Sequence, residues 1–213
     1  MRGSPGRPVA AAAPAGAGNR PRATPSTVIV SPDTDRVRKL VAPGAVKLRP
    51  ATADDLQVLR QWHRQPHVVA AVGDDWGWEA ELARQPDWRE QLIAEVHGRP
   101  VGFIQIIDPS RDDSRYWGSV ATGHRAIDLW IGEKAYLGRG YGTQLMKLAI
   151  ARSFADPSVT AVLVDPRDGN QGACRFYERL GFEFVVRRCL DDEYCAVYRL
   201  TRPAAVANAR KTA

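Results

Sequence analysis

The stretch that decides the fold is Tyr-Leu-Gly-Arg-Gly-Tyr-Gly-Thr at residues 136–143, where three glycines alternate just before a helix-like apolar run at 144–154. Alternate glycines let the backbone turn tightly and approach a ligand closely, because they carry no Cβ. The first turn of the following helix offers unpaired N–H groups and the positive end of the helix dipole. The sequence therefore predicts a phosphate-binding turn at this helix start.

One strand is predicted before the glycine turn and another after the helix that follows it, and each carries or precedes an acid. Residues 125–132, Arg-Ala-Ile-Asp-Leu-Trp-Ile-Gly, form an apolar run typical of a buried strand, with Asp128 inside it. Residues 160–164 form a second such run, which is followed directly by Asp165 and a proline. The glycine turn therefore follows a predicted strand and opens a helix that leads to a second predicted strand, which is the context a phosphate-binding turn requires.

The 213-residue chain is predicted to hold one globular domain between two tails, since 44% apolar and 25% charged residues are ordinary for a globular protein. Residues 1–45 are rich in Ala, Pro, Gly and Arg and lack apolar periodicity, so we expect a disordered basic arm there. Its prolines argue against the amphipathic helix of a transit peptide, and a later translation start is an alternative explanation of the arm. The domain is placed at residues 46–201 and a disordered tail at 202–213.

Charge and cysteine content narrow the function classes. Residues 1–45 hold seven Lys/Arg against two Asp, and the domain between the tails is slightly acidic, so no nucleic-acid partner is expected. No run approaches the 18 or so apolar residues of a membrane span. The cysteines at 174, 189 and 195 form neither a disulfide framework nor a zinc motif, which favours a reduced, cytoplasmic protein without a metal. We expect a monomer or a homodimer.

The order of elements predicts an α/β domain with a central mixed, mostly antiparallel sheet flanked by helices. The helix after the first strand is predicted to open with a capping box at Thr52–Asp55. Residues 91–96 and 100–107 are predicted to form a β-hairpin. The other predicted elements are strands at 46–49, 125–132, 160–164, 182–188 and 193–200 and helices from 56, at 144–154 and at about 170–180.

Residues 65–85 combine tryptophans with acids, among them Asp75 and Trp76. One interpretation is a solvated helix whose tryptophans pack on the core. The other is a mobile acidic and aromatic lid, in which Asp75 and Trp76 contact a substrate. The sequence leaves both interpretations open.

Two motifs in this order of elements resemble those of the GCN5-related N-acetyltransferase (GNAT) superfamily. Its phosphate-cradling signature, Arg/Gln-x-x-Gly-x-Gly/Ala, matches residues 137–142, with Leu137 in place of the usual polar first residue. Its second signature, Asn-x-x-Ala-x-x-x-Tyr-x-x-x-Gly-Phe, is met over residues 170–182. The resemblance covers about residues 46–201 and implies the GNAT fold, with acetyl-coenzyme A as co-substrate.

Within the superfamily the chain is most similar to aminoglycoside 6'-N-acetyltransferases, through Ile127-Asp128, the stretch 154–160, and Asp165-Pro166. The resemblance implies an N-acetyltransferase of an antibiotic-resistance type, in which Asp128 and Asp165 contact a cationic aminoglycoside or polyamine acceptor and Tyr177 lies beside the thioester sulfur. It also implies that the coenzyme is bound by residues on the strand, in the turn and at the next helix, namely Trp130, Ile131, Leu137, Gly138, Arg139, Gly140, Tyr141, Gly142, Thr143 and Asn170.

The chemistry of acetyl transfer gives Tyr177 and Asp128 their candidate catalytic roles. A tyrosine hydroxyl, with a pKa of ~10, is matched to hydrogen-bond or protonate a thiolate whose own pKa is ~8.5. A carboxylate can orient the acceptor ammonium and accept its proton through water. The structural alternatives are a packed helix tyrosine for Tyr177, an ion pair with Arg125 or Arg139 for Asp128, and a turn opened by Asp-Pro for Asp165.

Three functional hypotheses follow from these residues. The first is an acetyl-coenzyme A dependent aminoglycoside or polyamine acetyltransferase. The second is an enzyme of the same fold that acts on a protein N-terminus, a lysine or a siderophore hydroxylysine, since Trp62-x-x-x-x-His67-Val68 resembles acyltransferases of siderophore synthesis. The third is a sensor that binds acyl-coenzyme A without turnover.

Overall fold

The computed structural model describes residues 44–73, 76–190 and 193–203. Most of the predicted arm and tail, Asp75 and the turn at residues 191–192 lie outside this part of the chain, and the predicted domain boundaries therefore stay predictions. Across the described ranges, every helix is too short or too polar to span a lipid bilayer.

One seven-stranded sheet with helices on both faces confirms the predicted fold class. The strand order is β1-β2-β3-β4-β5-β7-β6, and every neighbouring pair is antiparallel except β4 and β5. The strands are β1 (Val46–Pro50), β2 (Arg89–Val96), β3 (Arg99–Ile107), β4 (His124–Ile131), β5 (Ala161–Val164), β6 (Glu183–Leu190) and β7 (Glu193–Thr201).

Three short helices and two longer ones cover the sheet. The predicted capping box is present, because the Asp55 carboxylate accepts the Thr52 N–H at 2.9 Å just before the first helix. One of the two interpretations of residues 65–85, a single helix, is wrong: the segment contains two helices, separated at Gly73 and Gly77, whose φ angles of 88° and 53° do not fit a right-handed helix. The helices are α1 (Leu56–Trp62), α2 (Pro66–Val72), α3 (Trp78–Ala83), α4 (Tyr141–Ala155) and α5 (Gln171–Arg179).

The two faces of the sheet pack against different helices. Since side chains alternate along a strand, Ile127, Leu129 and Ile131 of β4 join α4 and α5 in one apolar cluster. Trp130 points to the opposite face and joins α1, α2 and α3 in a second cluster. Asp128, two residues earlier, shares that face with Trp130. The acid of β4 therefore lies on the side of the three short helices.

The parallel strands β4 and β5 separate after a short contact. They pair only over residues 124–126 and 161–163. Beyond this point β4 follows β3 to Ile131, whereas the chain after β5 follows β7, because the Ala196 N–H binds the Pro166 carbonyl at 2.9 Å. The sheet is therefore split at the carboxyl ends of these two strands, and the glycine turn and helix α4 begin beside the split.

Candidate active site

The glycine turn has the backbone geometry of an anion site. Gly138 and Gly140 have φ angles of 68° and 82°, in the left-handed region that favours glycine, and Gly140 caps α4. Gly142 instead lies inside the first turn of α4, where an added Cβ would meet only Phe176 at 3.9 Å. The first N–H groups of this 15-residue helix have no intrahelical partner, so they point outward with the positive end of the dipole.

The far half of β4 presents peptide groups to the split. The Gly132 N–H donates to the Val101 carbonyl of β3 at 2.9 Å, and peptide groups face alternate sides along a strand. The peptide groups of Ile127 and Leu129 and the N–H of Ile131 therefore face away from β3, where β5 no longer pairs with them. An extended chain with amides, such as the pantetheine arm of a coenzyme, can hydrogen-bond to this row of peptide groups, and its phosphates would then reach the glycine turn.

Two carboxylates lie where β4 and β5 separate, and a tyrosine lies within electrostatic range of both. Asp128 belongs to β4, Asp165 follows β5, and Tyr177 belongs to α5. Burial, together with the nearby carboxylates of Asp165 and Asp128, raises the pKa of the Tyr177 hydroxyl well above its ordinary value. The hydroxyl is therefore neutral at physiological pH and is available as a hydrogen-bond donor.

Asp128 ends a row of amides that crosses three strands. Gln91, Gln105 and Asp128 are register partners on β2, β3 and β4. Gln105 Nε2 donates to the Asp128 carboxylate at 3.3 Å, and Gln91 Nε2 donates to Gln105 Oε1 at 3.1 Å. Because an ionised carboxylate only accepts hydrogen bonds, it determines which way both amides point. The row thus directs donors toward Asp128 and fixes the orientation of its oxygens.

Asp165 is held by a tyrosine from a distant segment of the chain. The Tyr116 hydroxyl donates to Asp165 Oδ2 at 2.5 Å, a short contact of the kind that a charged acceptor makes. Arg125, one of the cations considered for Asp128, instead pairs with Asp108 at 3.3 Å and with Asp156 at 3.1 Å. Both carboxylates therefore have neutral side-chain donors as hydrogen-bond partners.

Aromatic side chains flank this polar strip on both sides. Trp76, Trp78 and Trp130 pack together with Phe103 on the side of α3, with ring centroids 4.6–6.4 Å apart. Trp78 is buried and Trp76 is half-buried. On the other side, Tyr116 packs edge-on against the buried Trp117. Of these rings, only Trp76 and Tyr116 are half-buried and can reach a ligand beside the two acids, whereas Trp78, Phe103, Trp130 and Trp117 belong to the core.

The structure shows which parts of several predicted coenzyme-binding residues are accessible to a ligand. The Tyr141 side chain is buried against Tyr136, so only its backbone can meet a ligand. The Trp130 peptide groups face β3, and its side chain lies in the aromatic wall. Asn170 caps α5 through its side-chain oxygen, which accepts the Ala173 N–H at 3.0 Å. Leu137 is exposed. The coenzyme roles of these residues stay predictions.

Three residues of the site escaped the sequence analysis. Gln105 carried a signal, because it is the one polar residue in the apolar run Val-Gly-Phe-Ile-Gln-Ile-Ile of β3 at 101–107. Gln91 and Tyr116 carried none, since each lies in a polar segment. Asp75 lies outside the described residues. In the described part of the chain, no group of three His, Cys, Asp or Glu side chains is arranged for a metal ion.

Comparisons with known proteins agree with this geometry. The acetyltransferase (GNAT) domain family matches residues 51–188. An aminoglycoside N(6')-acetyltransferase type 1 of Klebsiella pneumoniae is 31% identical over 153 residues, covering 65% of this chain and 74% of the relative. The lysine N-acyltransferase MbtK of Mycobacterium tuberculosis is 25% identical over 185 residues, covering 81% of this chain and 88% of the relative.

Among solved structures, aminoglycoside acetyltransferase AAC(6')-Ib in complex with coenzyme A superposes with a TM-score of 0.65 at 29% identity. The match covers 74% of this chain and 95% of the neighbour. The open peptide row of β4 and the glycine turn of α4 fit a coenzyme of this kind. The chain belongs to the GNAT acetyltransferase family, and it is an N-acetyltransferase whose co-substrate is acetyl-coenzyme A.

Proposed function

We propose that the chain transfers the acetyl group to the 6'-amine of an aminoglycoside. The observation that carries this proposal is that Asp128 and Asp165 lie where β4 and β5 separate, both near enough to Tyr177 to raise its pKa, with the half-buried ring of Tyr116 on Asp165. Two carboxylates suit an acceptor with several ammonium groups, and the half-buried rings of Trp76 and Tyr116 suit sugar rings. The 31% identity to an aminoglycoside acetyltransferase supports the same acceptor class.

In the proposed reaction, the neutral amine attacks the thioester carbonyl carbon, the C–S bond breaks, and coenzyme A departs as a thiolate. A carboxylate with an ordinary pKa of ~3.9 is a weak base for an alkylammonium. Asp128 therefore orients the amine and receives its proton through water. The raised pKa of Tyr177 opposes full proton transfer to a thiolate, so its hydroxyl stabilises the leaving sulfur by hydrogen bonding.

A pair of matched acceptors tests the regiochemistry. Neomycin and paromomycin differ by an amine against a hydroxyl at the 6' position and otherwise present a similar cationic shape. We expect neomycin to release thiol, and paromomycin to bind competitively with essentially no thiol release, because a hydroxyl is the weaker nucleophile. Equal turnover of the two would exclude the 6'-amine, and failure of both to bind would exclude aminoglycosides.

A lysine side chain is the second candidate acceptor. The observation that favours it is the similarity to a lysine N-acyltransferase over 81% of this chain. Lysine and N6-hydroxylysine, offered with acyl-coenzyme A donors of increasing chain length, distinguish this candidate. Thiol release with these acceptors but not with neomycin would replace the aminoglycoside proposal.

A further inference from the structure

Three consecutive residues at the end of β4 are held by two side chains from the short helices. His67, half-buried on α2, places Nε2 2.9 Å from the Ile131 carbonyl oxygen. Trp62, fully buried at the end of α1, donates its indole N–H to Glu133 Oε1 at 3.0 Å. Between them, a Cβ on Gly132 would overlap the indole ring of Trp62.

The chemistry of each contact is specific. A carbonyl oxygen can only accept, so the His67 imidazole carries a proton on Nε2 in this contact. A buried indole N–H needs an acceptor, and Glu133 supplies one. The absence of a side chain on Gly132 lets the backbone lie against the indole ring. None of these three contacts involves Asp128 or Asp165.

The held segment joins the two halves of the coenzyme site. On one side of it lies the open peptide row of β4, which ends at the Ile131 N–H because the Ile131 carbonyl is occupied by His67. On the other side, a 3₁₀ turn (Lys134–Tyr136) leads to the glycine turn. The peptide between Ile131 and Gly132 is fixed at both ends, because its N–H donates to Val101 at 2.9 Å and its carbonyl accepts from His67.

We propose that Trp62 and His67 are positioning residues for acetyl-coenzyme A. They act through the backbone of residues 131–133 and set the distance and direction between the peptide row and the glycine turn. The pantetheine arm and the pyrophosphate can then be bound at once without reordering the chain. This role accounts for the Trp62-x-x-x-x-His67 pattern, and it does not depend on which amine the enzyme acetylates.

Calorimetry of acetyl-coenzyme A binding, without any acceptor, tests the proposal on the full chain. We expect His67→Leu to weaken coenzyme binding roughly fivefold, the usual effect of losing one neutral hydrogen bond. His67→Gln should restore most of the affinity, because its amide nitrogen can donate to the same carbonyl. Arg64→Leu, an exposed change between α1 and α2, is the matched control and should bind the coenzyme as the wild type does.

Glu133 gives an independent arm if His67→Leu does not fold. Glu133→Gln keeps an oxygen that can accept from the Trp62 indole, whereas Glu133→Leu removes it, so only Glu133→Leu should weaken coenzyme binding. Coenzyme affinity at the wild-type level in folded His67→Leu and Glu133→Leu would overturn the proposal. Equal losses in His67→Gln and His67→Leu would also overturn it, because the loss would then not follow the hydrogen bond.

Discussion

Replacing Gln105 by methionine should reduce the use of the acceptor while leaving the coenzyme site intact. Methionine keeps the length of the side chain and its burial, since Gln105 is only 5% exposed, but it cannot donate to Asp128. A hydrogen bond to a charged group contributes ~1.5–3 kcal/mol. The donor distance here is 3.3 Å, beyond the usual range, so we take the lower value. A loss of ~1.5 kcal/mol corresponds to a roughly tenfold fall in kcat/KM.

The assay is thiol release at varied acceptor and fixed, saturating acetyl-coenzyme A, with the coenzyme KM measured separately. Gln91→Met is the graded comparison, because Gln91 contacts Asp128 only through Gln105. We expect a two- to threefold fall for Gln91→Met, and for the double variant no more than for Gln105→Met alone. A folded Gln105→Met enzyme with unaltered kcat/KM would refute the argument, as would a larger effect from Gln91→Met.

Two further predictions concern Tyr177 and Asp55. Tyr177→Phe should lower turnover by roughly 10²-fold with acceptor KM little changed. Because folding raises the Tyr177 pKa, its contribution to stability is complete below pH ~10 and is lost at higher pH. The free energy of unfolding, measured with urea, should therefore fall less steeply at alkaline pH in Tyr177→Phe than in the wild type. An identical fall in both proteins would contradict this. Burial raises the pKa of Asp55, but hydrogen bonds from Arg49 and Thr52 outweigh it and hold the pKa below its usual range. Asp55→Asn should therefore cost about 2 kcal/mol of unfolding free energy near neutral pH. The cost should fall as the pH drops below ~4, because the carboxylate of the unfolded wild type takes up a proton there while the folded one, with its lower pKa, does so only at still lower pH. Equal losses at neutral and acidic pH would contradict this.

The local chemistry of the chain was readable from the sequence. The glycine turn requires left-handed backbone at Gly138 and Gly140, and glycine is the residue type that adopts this conformation without strain. The strand runs and the helices at 141–155 and 171–179 follow from apolar periodicity over neighbouring residues. The family was predicted from two sequence signatures, one in the glycine turn and one in the helix that carries Tyr177, because both occur in the expected order of elements. The break at Gly73 and Gly77 was missed by the interpretation of residues 65–85 as one helix.

The contacts around Asp128 and Asp165 were decided by the tertiary structure. Gln105 and Asp128 are 23 residues apart, and they meet because β3 and β4 pair in one particular register. Tyr116 reaches Asp165 across 49 residues from a loop without periodicity.

The contacts that fix the end of β4 were also decided by the tertiary structure, since His67 contacts Ile131 across 64 residues and Trp62 contacts Glu133 across 71. Residue types and spacing specify local backbone and burial, whereas the register of strands and the packing of helices on a sheet depend on every element at once. For that reason the sequence determined the glycine turn and the family, and only the folded chain determined which side chains orient Asp128, hold Asp165 and fix the end of β4.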